Sequence, residues 1–495
     1  MKSHMGKINR NTIEIMKDIL IVVLVLTTVL LLYFLWANKP LEAFIFKDGG
    51  GSKMEMSKVI KPAYVRICKG NQDFMVVDRE SGDIWENQLL EDIRDFARAG
   101  NPVVEEITEK QYKEVMQYPS IAGKFKYSMP FAGWCEQYGI KYYQGFDGID
   151  SFSEVGFSQG SDVSLFLADR NRGKYYRIVG SKPPAILDQL ESVAAGADYG
   201  TYYEMRYLLG EKSENETLVP VDFTYNFKET GCSRDLEQIK GNQDLCNTMA
   251  QDYFGETFDF VRRVEEASGV TIYMYGYGQK VLTINPEEGW LEYKEETKQK
   301  KGETDFFQGL DTALSFIATH GGFETTGGVK VAPYIDSASP IDDGRGIRYQ
   351  FSYRVAGEKL YFAKGNPVIV EVKNGQVTYY KRQLLTWEAA SGIRANASGE
   401  SAINVLAINY PYMKSVMEKL EGDSGKEENP EGAGGFELMA EEVSDISTGY
   451  LYMNGGAERE TREILKPAWI VKTGKVRFFF DLYTGEAMGY EEEGE

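Results

Sequence analysis

The sequence has almost no histidine. Of its 495 residues only His4 and His320 carry an imidazole, and His4 precedes the one long apolar run. Much enzymatic proton transfer and zinc ligation relies on that ring, so triads and histidine-rich metal sites are disfavoured in the main body of the chain. Cysteine is nearly as scarce: Cys68, Cys135, Cys232 and Cys246, with no CxxC pair. Four in such a length are too few for a disulfide framework. Cys232 and Cys246 could close one loop outside the cell, but isolated thiols in strands or loops are the simpler reading. Positive charge is short as well. Lys and Arg number 55 against 75 Asp and Glu, a net charge of −20, which weighs against a nucleic-acid partner because phosphate recognition needs clustered cations. No GxSxG, Walker loop or HExxH occurs; each would have carried a nucleophile, a phosphate cradle or a zinc site. The expectation is no enzyme: no catalytic residue, no cofactor-binding residue and no metal ligand.

What is present points to folded, strand-rich domains. An apolar fraction of 42% with 13% aromatic residues is enough to build sizeable cores and is not a disordered composition. The aromatics are mostly Tyr (32) and Phe (26), and there are 51 Gly, a mixture suited to half-buried strands joined by tight turns. Length alone suggests two to four domains.

Residues 19–36 read ILIVVLVLTTVLLLYFLW without a charge. With Ala37 this approaches the roughly 20 apolar residues that a helix needs to cross a bilayer. Tyr33, Phe34 and Trp36 gather at one end, where amphipathic rings sit at a membrane interface. A cleaved signal peptide would have a shorter core, of roughly 7–15 residues, and a small-x-small site; Leu35 occupies a position that needs a small side chain. The segment therefore reads as an uncleaved anchor. Lys2, Lys7, Arg10 and Lys17 precede it and Lys39, Lys47 and Lys53 follow, a slight bias that puts the tail in the cytoplasm and the bulk outside. Thr27 and Thr28 lie mid-helix, where a hydroxyl bonds its own backbone or a neighbouring helix; they are the candidate partner-binding residues in the membrane.

The fold class expected is α+β: one N-terminal transmembrane helix, then serial mixed α/β extracytoplasmic domains with antiparallel sheets. The expected order is a cytoplasmic tail (1–18), the anchor (19–37), a stalk (38–60), an N-terminal α+β domain (61–254), a middle helix-plus-sheet domain (255–388) and a C-terminal helix-plus-sheet domain (389–495). The second half reads as a degenerate duplication. Its first copy has an amphipathic helix over 305–319 ended by Gly321 and Gly322, strands at 329–335 and 347–355, and a hairpin over 365–380 turned at Asn374-Gly375. Its second copy has helical spacing over 402–406 and 413–420, an acidic Gly-rich loop at 421–435, a strand at 446–453 and a hairpin over 465–480 turned near Gly474. Pro367 and Pro467, and Tyr379-Tyr380 and the run ending at Phe480, hold corresponding places.

Some residues invite a chemical reading, and each has a plainer one. His320 stands at a helix end, where it bonds the last carbonyls. Asp336, Asp342 and Asp343 surround a Gly-Arg-Gly turn, but their spacing fits no EF-hand; a solvated acidic turn accounts for them. Alternating Tyr273, Tyr275 and Tyr277 could stack on sugar rings, yet such alternation more often builds a packing face across a sheet. With 75 acidic residues, the carboxylate pairs a glycosidase needs are too plentiful to identify one.

The stretch Tyr379 to Trp387 (YYKRQLLTW), the Pro467-Ala-Trp469 run leading to Tyr483–Glu486 (YTGE), and the layout of short basic tail, single anchor ending in Leu35-Trp36 and mixed α/β outer region resemble the YycH/YycI family of accessory regulators of the essential cell-wall two-component system in low-GC Gram-positive bacteria. The resemblance covers most of the chain in layout. It implies a non-catalytic protein whose anchor packs beside the transmembrane helices of a sensor histidine kinase, and whose outer domains pair with a related accessory protein in a hetero-oligomer. It leaves YycH-like and YycI-like membership open. The alternative from another class is a tethered extracytoplasmic ligand- or cell-wall-binding protein, which would work with any anchor. A third reading, a cell-wall hydrolase, would require turnover of peptidoglycan.

Overall fold

The computed structural model describes residues 53–492 apart from 79–83, 101, 161–163, 196–199, 210–212, 223–226, 234–241, 287, 298–301, 324–330, 394–398, 422–434 and 454–461, and before residue 53 only Leu20, Ile21, Leu24, Val25, Thr27 and Thr28. The expected tail, most of the anchor, the stalk up to residue 52 and the acidic loop at 422–434 lie outside the described residues. Among those described, no helix is long and apolar enough to cross a membrane.

The first sheet collects nine strands among the described residues: β1 (Tyr64–Cys68), β2 (Phe74–Val77), β3 (Val103–Ile107), β4 (Ser120–Pro130), β5 (Ser151–Ser158), β6 (Ser164–Asp169), β7 (Lys174–Val179), β8 (Thr201–Glu204) and β9 (Leu218–Asp222). Their spatial order is β3-β7-β6-β5-β4-β1-β2-β8-β9, and every pairing is antiparallel. A wide turn at Trp85–Leu89 runs into helix Leu90–Arg98, burying Leu89, Leu90, Ile93 and Phe96. Helix Phe131–Tyr138 adds Phe131, Trp134 and Cys135 to the same core.

A second, larger sheet runs β11 (Arg262–Glu265), β12 (Thr271–Tyr275), β13 (Lys280–Asn285), β14 (Trp290–Glu295), β19 (Gln376–Gln383), β18 (Val368–Lys373), β16 (Gly346–Val355), β17 (Glu358–Phe362), β21 (Val443–Tyr452), β23 (Lys466–Thr473), β24 (Val476–Asp481) and β25 (Ala487–Glu492), with β15 (Val331–Ile341) paired to β16. A small third sheet, β20 (Thr386–Ile393), β10 (Lys228–Ser233) and β22 (Arg462–Ile464), ties three distant stretches together. The expectation of mixed α/β architecture with antiparallel sheets holds.

Local chemistry explains the pieces. Asp305 caps helix Phe306–Thr319 by accepting from the Gln308 amide at 2.9 Å. The helix then buries Phe306, Phe307, Leu310, Leu314 and Ile317, and the positive φ of Gly321 and Gly322 lets the chain fold back so that the Gly322 amide reaches the Ile317 carbonyl at 2.7 Å. The hairpin β18–β19 turns at Asn374 (φ 54°) and Gly375 (φ 73°), the left-handed pair that matches strand twist in a two-residue loop. Each copy of the expected duplication contains a helix and, later in the chain, three adjacent antiparallel strands, β16-β18-β19 in one and β21-β23-β24 in the other, with β17 and β22 intervening in sequence. The two meet edge to edge through β17 and β21, the one parallel pairing among the described strands, with Leu360 opposite Tyr450 and Phe362 opposite Tyr452.

The two helical stretches expected at 402–406 and 413–420 are instead one helix, Ala402–Glu421, with Pro411 inside it. Proline removes one backbone donor and usually breaks a helix, but here packing holds both halves: Val405, Leu406 and Met413 are fully buried, and Asn409 donates to the Val405 carbonyl at 2.9 Å and the Gly485 carbonyl at 2.7 Å. One contiguous core runs from Val59 to Leu482 across both large sheets. At their junction Phe306 stacks on Tyr127 with ring centroids 6.0 Å apart, and Phe307 covers Gly133, where a Cβ would come within 2.4 Å of its ring.

Candidate functional site

The two large sheets leave a cleft of about 740 Å³ between them. Strand β4 shapes one wall. Its neighbours Phe125 and Tyr127 are buried, so alternation sends Lys124 and Lys126 to the opposite face. The register with β5 shifts between Lys124 and Met129, and β4 there also lies against β15. The opposing wall comes from β17, which presents Lys359 and Tyr361 two residues apart, from Lys472 on β23 and from Arg477 on β24. Segments 214–218 and 441–447 form a lip. They are fastened to each other where the Asn215 amide donates to the carbonyls of Ala440 and Val443, both at 2.8 Å, and the Thr217 hydroxyl donates to Val443 at 2.9 Å.

Two buried carboxylates sit behind these walls. Glu154 on β5, 1% exposed, lies 3.4 Å from the Arg66 guanidinium and accepts from Arg170 Nε at 3.0 Å. Burial alone would raise its pKa, but Arg170, Arg66 and Lys124 overcome that and hold the carboxyl at about 2. Asp336 on β15, 5% exposed, accepts from Lys126 Nζ at 2.8 Å, lies 4.0 Å from Arg477 and meets the Asn366 amide at 3.4 Å. Burial opposes its charge as well; Lys126 and Arg477 prevail and keep it well below the usual carboxylate range. Both groups are therefore poor proton donors near neutral pH. Arg477 also pairs with Glu491 at 3.0 Å, and Tyr361 lies within cation–π reach of Lys126 and Arg477, at 5.7 and 5.6 Å.

This corrects the reading of the three aspartates as one solvated turn. Strand β15 continues to Ile341, so Asp336 is mid-strand and buried, whereas Asp342 is half exposed in the turn and pairs with Lys373 at 2.8 Å. His320 ends its helix as expected. Its Nδ1 lies 2.7 Å from the Phe316 carbonyl and its ring stacks on Phe316 at 3.9 Å; burial lowers its pKa. Of the alternating tyrosines, Tyr273 is buried and Tyr277 is fully exposed in a left-handed turn at φ 59°, so they make no continuous platform. All four cysteines are buried, Cys232 on β10 and Cys246 on helix Gln243–Phe254; burial pushes the Cys135 thiol up to about 12. In the N-terminal segment the Thr28 hydroxyl donates to the Leu24 carbonyl at 2.8 Å, the bond to the preceding turn that threonine commonly makes in a helix. Among the described residues no group of three or more His, Cys, Asp or Glu could hold a metal ion.

Of the residues given a chemical reading in the sequence, only Asp336 lies near the cleft, behind its wall. Alternation over Lys124-Phe-Lys-Tyr127 signals a charged strand face, but nothing local says that β15, β17 and β24 would meet it.

No protein-family model matches the chain, and no curated protein matches it. Among solved structures it is similar to YycH from Bacillus subtilis, at a TM-score of 0.51 and 12% identity, covering 86% of this chain and 96% of that one. An uncharacterized protein from Eubacterium rectale matches at 0.32 and 11% identity, over 58% of this chain and 93% of its own. The C-terminal domain of YpeB from Bacillus megaterium matches at 0.24 and 12%, over 51% and 98%. In fold, though not by sequence, the chain is YycH-like.

Proposed function

We propose that the protein is a membrane-anchored accessory regulator of a sensor histidine kinase that controls cell-wall metabolism. It acts by contact rather than catalysis, through the helix at 19–37 and through its extracytoplasmic domains, and pairs with a related accessory protein. The tail at 1–18 is cytoplasmic and the bulk of the chain lies outside. The observation that carries this reading is the YycH-like fold, which extends over 86% of the chain. It agrees with the layout and the local motifs through which the sequence resembles the YycH/YycI family.

The anchor is where this reading is tested. Helix association in lipid depends on close packing and on occasional hydroxyl bonds. Thr27→Leu with Thr28→Leu removes both hydroxyls and adds bulk at that level of the helix while keeping it apolar. Co-purification of the kinase with the full-length protein should fall several-fold, with membrane insertion unchanged. Undiminished recovery would take these two residues out of the contact.

A further inference from the structure

A lysine of the cleft makes no ion pair among the described residues. Lys359, on β17, is 3% exposed and lines the cavity. Three of the cations around it are matched: Lys126 by Asp336 at 2.8 Å, Arg170 by Glu154 at 3.0 Å and Arg477 by Glu491 at 3.0 Å. No hydrogen bond or ion pair to the Lys359 side chain occurs among the described residues. The stem is buried and the ammonium opens on the cleft, so an anion can reach it from there. A group in this position is stabilised when an anion arrives from outside.

We propose that the cleft binds a small ligand through one anionic group, a carboxylate or a phosphate, seated against Lys359. The volume of about 740 Å³ suits a small molecule. Tyr64 and Tyr361 give it aromatic surface, and Ile470 apolar surface. Glu214, Glu216, Glu441, Glu442 and Asp445 line the same cavity. They repel a polyanion such as a nucleic acid, so the ligand has a single negative head and a neutral or cationic remainder. A short peptide with a free carboxylate and a small phosphate compound share this chemistry. The site does not depend on which protein the chain contacts, so the kinase-regulator reading and this one fail separately.

The test measures thermal unfolding of the full-length protein in detergent at fixed ionic strength. The probes are inorganic phosphate, tetra-alanine with a free C-terminus and tetra-alanine amide, each against chloride. Wild type should melt higher with phosphate or with the free-acid peptide and not with the amide; which of the two acts assigns the source of the anion. Lys359→Arg should keep the response. Lys359→Met should lose it, while melting close to wild type without any probe, because the apolar side chain of similar length keeps the buried stem packed. No response of wild type to phosphate or to the free-acid peptide, an equal response in Lys359→Met, or an equal response to the amide would each overturn the proposal. So would a Lys359→Met protein clearly less stable than wild type, since that would show the ammonium to be satisfied within the fold.

Discussion

Asp336→Ala is expected to lower unfolding stability by about 3 kcal/mol, toward the lower end of what removing one partner of a buried ion pair costs. The carboxylate joins Lys126 on one large sheet to Arg477 on the other edge of the cleft, at 2.8 and 4.0 Å. Without it Arg477 keeps Glu491 at 3.0 Å. Lys126 is left with only the nearby tyrosine rings, but its side chain is 29% exposed and turns partly to water, which is why the higher end of the range does not apply. Lys126→Met in the same background should restore part of the loss, since it removes the orphaned charge, and the two changes should be strongly non-additive. Denaturant unfolding followed by tryptophan fluorescence and by circular dichroism measures the effect. The two probes should coincide in wild type and separate in Asp336→Ala if the triad couples the sheets. A loss below about 1 kcal/mol would show that the pair is screened as a surface bridge is.

Glu154→Gln should cost as much or more at neutral pH, about 3–5 kcal/mol, and should also change the acid limb of stability. Glutamine still accepts one bond from Arg170, but it leaves the Arg66 and Arg170 guanidiniums facing each other around a neutral group that is 1% exposed. The carboxyl titrates at about 2 in the fold against an ordinary 4.5. Its pKa is depressed, so the folded state binds fewer protons than the unfolded chain across that interval. The stability it contributes is complete above pH 4.5 and is lost as pH falls toward 2. In Glu154→Gln this component is absent, so the variant should be far less stable than wild type at pH 7 and converge on it near pH 2. Some acid sensitivity remains in both, because Asp336 is depressed in the same direction. Parallel pH profiles for variant and wild type would contradict the assignment.

The sequence disclosed whatever is decided by neighbours. The helix at 306–319 was legible from its apolar spacing and its Gly321-Gly322 stop, and the β18–β19 hairpin from Asn374-Gly375, because each signal lies within one or two turns of the element it specifies. His320 was placed correctly for the same reason. Helix Ala402–Glu421 was read as two pieces because Pro411 is a local break signal; the packing of Val405 and Met413 that overrides it is tertiary. Asp336 was grouped with Asp342 and Asp343 by proximity in the chain, although a strand that runs on to Ile341 separates a buried residue from an exposed one. The cleft was not legible at all. Lys126 and Asp336 are 210 residues apart, and Lys359 and Arg477 come from strands that adjoin only through the parallel β17–β21 pairing and its sheet order. Alternation tells which way a lysine faces on its strand, but not which strand will face it.

The regulator reading is tested most directly by crosslinking within native membranes, followed by affinity capture of the full-length protein. A version in which residues 19–37 are exchanged for an unrelated anchor helix is captured beside it. The prediction is that a sensor histidine kinase is recovered with the native anchor and is depleted with the exchanged one. Recovery of no kinase with either version would contradict the account.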